Sequence, residues 1–181
     1  NDFLGLGTPA HPFAGSLTFP DSTSYTISIY SPLFQYLADS ATVGSHSGGT
    51  GFTLILNRLS NVGDGESNPL FAEHVVNNGG NGTWSVTAGG SCTFSGVIGE
   101  IGDNAHVNLT YANSANTAVV FNAATSEEDT AALVDAGAIC GKMGASSGLT
   151  LSYTGSISHA VTSANGNAGG LVGSMGSGAS L

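Results

Sequence analysis

One phrase recurs along this chain with variations. SGVIGEIGDNAHVNLTY begins at Ser95, AGAICGKMGASSGLTLSY at Ala136 and AGGLVGSMGSGASL at Ala168, the last running to Leu181. Each copy has small residues, two apolar residues, a Gly or Cys, one variable residue, an Ile or Met, another Gly, a short polar turn and an alternating stretch. Two looser relatives stand upstream, PLFQYLADSATV from Pro32 and PLFAEHVVNNGGNGTWSV from Pro69. Aligning Leu33, Leu70, Val97, Ala138 and Leu171 gives intervals of roughly 27 to 41 residues, within the period of about 20 to 50 residues that marks stacked repeats. A unit this short cannot close a core alone, so each copy must bury its apolar side against its neighbours. The fold class expected is all-β, a parallel β-helix or β-solenoid with irregular coils, forming one domain over residues 1–181.

Composition agrees with strands and turns. Charged residues make up 8% of the chain, against about 25% in an average domain. The polar surface must then come largely from Ser, Thr and Asn, which suit strands and turns better than long helices. Two Lys and Arg residues face twelve carboxylates, for a net charge of -10. Nucleic acid and anionic membranes both require clustered cations, so neither is an expected partner. No apolar run approaches the roughly 18 residues of a membrane span, and NDFLGLG at the start lacks the regions of a signal peptide, as a mature or trimmed terminus would.

Local patterns place the elements. GTPAHPFAGSLTF from Gly7 reads as an opening segment leading to YTISIY from Tyr25, which alternates as a half-buried strand does. FTLILNRLS from Phe52 is a second strand, and NNGGNGT from Asn77 a turn leading into TWSV. TSEEDTAALVDAG from Thr125 predicts one short inserted helix, capped by Ser126, with acidic residues complementing its first turn and Gly137 stopping it. Stacking should set Val97 over Ala138 over Leu171, and Ile101 over Met143 over Met175, with small residues at Gly99, Cys140 and Gly173 letting the wall turn. The last copy stops with its strand barely begun, which reads as a fragment whose final coil is open or is completed by another chain. Cys140 falls in a packed column as a buried thiol, and a disulfide with Cys92 stays open beside that reading.

GGLVGSMG from Gly169 resembles the GLUG motif of repeats in large bacterial surface proteins, and SGVIGEIG and AGAICGKMG resemble degenerate versions of it. The opening GTPAHPFAGSLTF, followed by YTISIY and PLFQYL, is similar to the first coil of such regions. The resemblance covers most of the chain. It implies a right-handed β-solenoid from an exported, adhesin-like protein at the bacterial cell surface, with no catalytic residues to carry over. The insertions at residues 44–68 and 112–135 depart from the usual regular copies.

Residues with chemistry are few and scattered. GASSG around Ser146 has the letters of a nucleophile elbow, yet LTLSY follows it where an elbow needs a helix. The five histidines show no metal-binding spacing, and no carboxylate pair stands at glycosidase separation in the sequence pattern. Calcium ligation is open at Asp64 and Glu66 in GDGE and at Asp103 in GDN. NGT at Asn81 and NLT at Asn108 fit an acceptor pattern that is incidental in a bacterial protein. Trp84 is the single tryptophan, a candidate sugar platform if it faces outward.

The expected function is therefore non-enzymatic: an adhesin-like surface module, without a cofactor, whose loops at 44–51, 60–68, 77–82 and 112–135 contact a glycan or a matrix protein. The alternatives are a self-assembling fibre or surface-layer subunit that pairs through its open C-terminal coil, and a polysaccharide lyase or hydrolase.

Overall fold

The computed structural model describes residues 5–47, 51–59, 69–89, 96–113, 121–123, 135–154, 161–163 and 166–181. These residues are all-β, and their strands fall into five successive passages, each pairing in parallel with the next. The first passage holds β1 (Ser16–Phe19), β2 (Ser24–Ile29) and β3 (Phe34–Ala38). The second holds β4 (Thr42–Ser45), β5 (Thr53–Arg58) and β6 (Ala72–Val76), and the third β7 (Gly82–Gly89) and β8 (Ile98–Ile101). The fourth comprises β9 (His106–Asn113), β10 (Phe121–Ala123), β11 (Ala136–Gly137) and β12 (Cys140–Met143). The fifth comprises β13 (Gly148–Thr154), β14 (Val161–Ser163), β15 (Ala168–Gly169) and β16 (Val172–Met175).

Two five-stranded sheets dominate, one in the order β16-β12-β8-β6-β3 and one in the order β13-β9-β7-β5-β2. Every strand pairs in parallel with its equivalent one passage away. Parallel pairing of strands close in sequence needs a return path around the molecule, and the second sheet supplies it. This arrangement is compatible with a β-helix.

Register turns the repeated phrase into columns. Leu37, Val75, Ile101, Met143 and Met175 stand level, and the first four are buried to 1% exposure or less. Phe34, Ala72, Ile98, Cys140 and Val172 form a second inward column. The stacking of Ile101, Met143 and Met175 is as expected, but the neighbouring column is shifted. Val97 N–H and Ile98 N–H both donate to the Ile139 carbonyl, and Phe71 N–H donates to that of Val97. Ile139 and Phe71, rather than Ala138 and Leu70, therefore stand level with Val97, and Cys140 stands level with Ile98 rather than Gly99. The physical reason lies in the Gly before the variable residue. A Cβ on Gly141 would lie 2.7 Å from the Gly99 carbonyl, and one on Gly173 would lie 2.5 Å from the Gly141 carbonyl. The close backbone approach runs through Gly99, Gly141 and Gly173, and fixes the count from there.

Corners are similarly repeated. Asn104 (φ 58°), Ser146 (φ 56°) and Gly178 (φ 74°) occupy the same place in three successive turns, each in the left-handed region. Ser146 thus belongs to a turn between β12 and β13. At the other end, residues 6–13 lie along the outer edge of β3 through bridges Leu6 to Phe34 and Phe13 to Leu37. This covers an otherwise open ladder.

No helix occurs among the described residues, and none there is long and apolar enough to cross a membrane. The helix expected from Thr125 falls mainly on 124–134, outside the described residues. Its supposed terminator, Gly137, lies instead in β11, paired with Gly169. Small residues in that pair suit the tight packing against the next passage, where a Cβ on Gly137 would lie 2.7 Å from Gly173 N.

Candidate binding faces

On β7, β9 and β13 alternate residues point inward and outward. The inward set, Trp84 and Val86 on β7 with Val107, Leu109 and Tyr111 on β9, is buried. The outward set forms three columns across the sheet. One is Thr83, Asn108 and Thr150. The second is Ser24, Thr53, Ser85, Thr110 and Ser152. The third is Thr26, Ile55, Thr87, Ala112 and Thr154. None of these positions is charged, and most carry a hydroxyl. Thr83, Thr110, Thr150, Ser152 and Thr154 are exposed, whereas Thr53, Ser85, Thr87 and Asn108 are half-buried.

Neighbours within a column hold one another. Thr53 Oγ1 and Ser85 Oγ are 3.0 Å apart, and Asn108 Nδ2 donates to Asn81 Oδ1 at 3.2 Å and to Thr83 Oγ1 at 3.4 Å. Such cross-strand hydroxyl and amide pairs add to sheet stability and restrict rotamers. Beside this face β4 pairs with β1 in a separate two-stranded sheet, whereas β5 and β7 belong to the large one. A groove of about 530 Å³ opens there, lined by Thr42, Ser45, Phe52, Thr53, Thr83 and Ser85 among others.

The other large sheet presents a different row. Tyr36, His74, Glu100, Lys142 and Ser174 stand level on its outer side; four of them fill the variable slot of the repeated phrase or of its looser relative, and Tyr36 fills the same place in the first passage. The Tyr36 and His74 rings stack with centroids 4.5 Å apart. Glu100 Oε2 lies 3.1 Å from His74 Nδ1, and its Oε1 lies 2.9 Å from Lys142 Nζ. The His74 hydrogen bond leads in holding the Glu100 carboxyl down, to about 2, with Lys142 adding to it against the opposing effect of burial. Glu100 in turn raises Lys142. Asp135 closes the row, accepting from Ser174 Oγ and from Asn167 N at 2.8 Å.

The residues singled out from sequence fare differently. Trp84 is 2% exposed, donates from Nε1 to the Ala41 carbonyl at 3.2 Å and packs 5.6 Å from Phe71, so its ring faces the core and offers no outward platform. Its place in the alternation, between outward Thr83 and Ser85, dictates this. Asp103 Oδ1 accepts from Ala145 N at 2.7 Å, tying one turn to the next. Asp64, Glu66 and Cys92 lie outside the described residues. Cys140 is a buried free thiol pushed up to about 12 by burial. Among the described residues no three His, Cys, Asp or Glu side chains gather as a metal cage.

Two groups went unnoticed in the sequence. Asp39, 1% exposed, accepts from Asn78 N at 2.7 Å and Gly80 N at 3.1 Å, so the 77–82 turn expected to contact a ligand is pinned to the preceding passage. Glu100 and Lys142 stand far apart in sequence, and only their equivalent places in the phrase hinted at their pairing. No protein-family model, curated protein or solved structure matches the chain.

Proposed function

We propose that the chain is a right-handed parallel β-solenoid serving as a non-enzymatic, adhesin-like binding module at a bacterial cell surface, with the outer face of β2, β5, β7, β9 and β13 as its contact surface. One observation carries this reading: three in-register columns of mainly hydroxyl side chains without a charge, in a chain of net charge -10. An anionic surface is held off by that charge, whereas an extended uncharged partner meets a face with no ions to desolvate. The resemblance of GGLVGSMG to surface-protein repeats agrees with it. Two of the described carboxylates are engaged in structural contacts, Glu100 with Lys142 Nζ and Asp103 with Ala145 N, which favours binding over catalysis at those positions.

The test is a panel of immobilised neutral glycans and matrix proteins. Wild-type protein should bind saturably, and Thr110→Lys should abolish binding with circular dichroism unchanged. Equal binding by wild type and Thr110→Lys would remove the face from the reading.

A second reading, self-assembly, is favoured by the fifth passage. Met175 is 46% exposed although its column-mates are buried, and Leu181 is 57% exposed. β16 is an edge strand, and β13 is engaged on its outer side only at its start, where Gly148 bridges to Ser180. Light scattering over a concentration series checks this: growth in mass with concentration supports it, and a constant monomer mass refutes it.

A further inference from the structure

Resting on the reading of this sheet as a contact face, we infer that its ligand is the surface of ice. Strands in a sheet lie about 4.8 Å apart, and alternate residues along a strand repeat at about 6.6 Å. The columns containing Thr110 and Thr87, over five strands, and the column containing Thr83, over three, are therefore the lines of a rectangular mesh of side chains. The prism plane of hexagonal ice presents water oxygens on a rectangular mesh of comparable repeats. A regular array is needed only for a periodic partner. A soluble sugar would use a shaped pocket with a few placed polar groups, such as the groove at Thr53, Thr83 and Ser85, whereas Thr150, Ser152 and Thr154 continue the mesh beyond that groove.

The chemistry of the side chains points the same way. Threonine carries a hydroxyl that bonds to a lattice water and a methyl that water must cage. Ile55 and Ala112 extend that apolar component within the column of Thr87. A charged group would hold its own strongly oriented shell and break such an arrangement, and none is present in the columns. β-Branching leaves threonine few rotamers to lose, while long lysine or glutamate side chains would give up far more conformational freedom on ordering. The Thr53 to Ser85 contact at 3.0 Å fixes part of the array before any ligand arrives. Parallel in-register pairing continues without a break from β2 to β13.

The experiment uses the whole chain in a nanolitre osmometer, with ice itself as the probe. Wild-type protein should open a gap between melting and freezing that grows with concentration, should shape crystals into facets and should partition into a slowly grown ice hemisphere. Thr110→Lys and Thr150→Lys, both at exposed positions, should each lose the gap while keeping the wild-type circular dichroism. His11→Gln, away from the sheet in an exposed turn, should keep it. Folded wild-type protein that neither facets nor partitions overturns the proposal, as does a folded Thr110→Lys that retains full activity. If ice fails but a neutral glycan is still bound and released by Thr110→Lys, the contact face stands with a saccharide ligand; if both fail, the face itself is not a binding surface.

Discussion

Gly141 shows at the scale of one residue how the repeated phrase works. Its backbone lies so near its own passage and the preceding one that a Cβ would sit 2.6 Å from the Asp135 carbonyl and 2.7 Å from that of Gly99. Both are backbone atoms and yield only by moving the chain. Gly141→Ala should therefore destabilise the fold by about 1–3 kcal/mol, as overpacking does, and urea unfolding would measure it. Gly170, with nothing within 4 Å of its would-be Cβ, is the control: Gly170→Ala should leave the midpoint nearly unchanged. A variant at Gly141 as stable as wild type would mean that the close approach is not what sets the register.

At the scale of the element, the outer rows of the two sheets obey one geometry with different chemistry. In-register stacking brings Glu100 between His74 and Lys142, one strand on either side. Its carboxyl is held down from 4.5 to about 2, so the folded state favours the ionised form. That contribution is complete above about pH 4.5 and fades as pH falls toward 2. Glu100→Gln should accordingly cost stability near neutrality, with the gap from wild type closing across that acid window. Denaturation midpoints taken between pH 2 and 7 would show it, and a gap independent of pH would sink the assignment. The hydroxyl columns lack any such titrating group, so their contribution should be flat over the same range.

At the scale of the molecule, one contiguous core runs from Phe19 in the first passage to Leu149 in the fifth. Stacked repeats can unfold piecewise when each holds its own core. Here the passages share theirs, and Trp84, buried in the third of them, reports on its middle. Unfolding followed by Trp84 fluorescence should coincide with unfolding followed by far-ultraviolet circular dichroism, as a two-state transition requires. Separate transitions would mean that the passages melt independently.

The sequence alone determined that the chain is built from strands and that its copies stack, because the period of the apolar residues is a local property of the phrase. It also determined the inward column of Ile101, Met143 and Met175, since each occupies the same place before a turn-forming Gly. The offset at Ile139 was already legible, because four residues back from Ile101, Met143 and Met175 stand Val97, Ile139 and Leu171, whereas the offset at Phe71, in a looser copy, was decided only by the pairing of Val75 with Ile101. Trp84 illustrates the same division. Its bulk and aromaticity fit a platform or a core equally well, and the parity of its strand, fixed by pairing with β9, put it inside. The candidate face was illegible for a related reason. Ser and Thr are ordinary residues in any one strand, and they become a surface only when five strands from distant parts of the chain are brought into register.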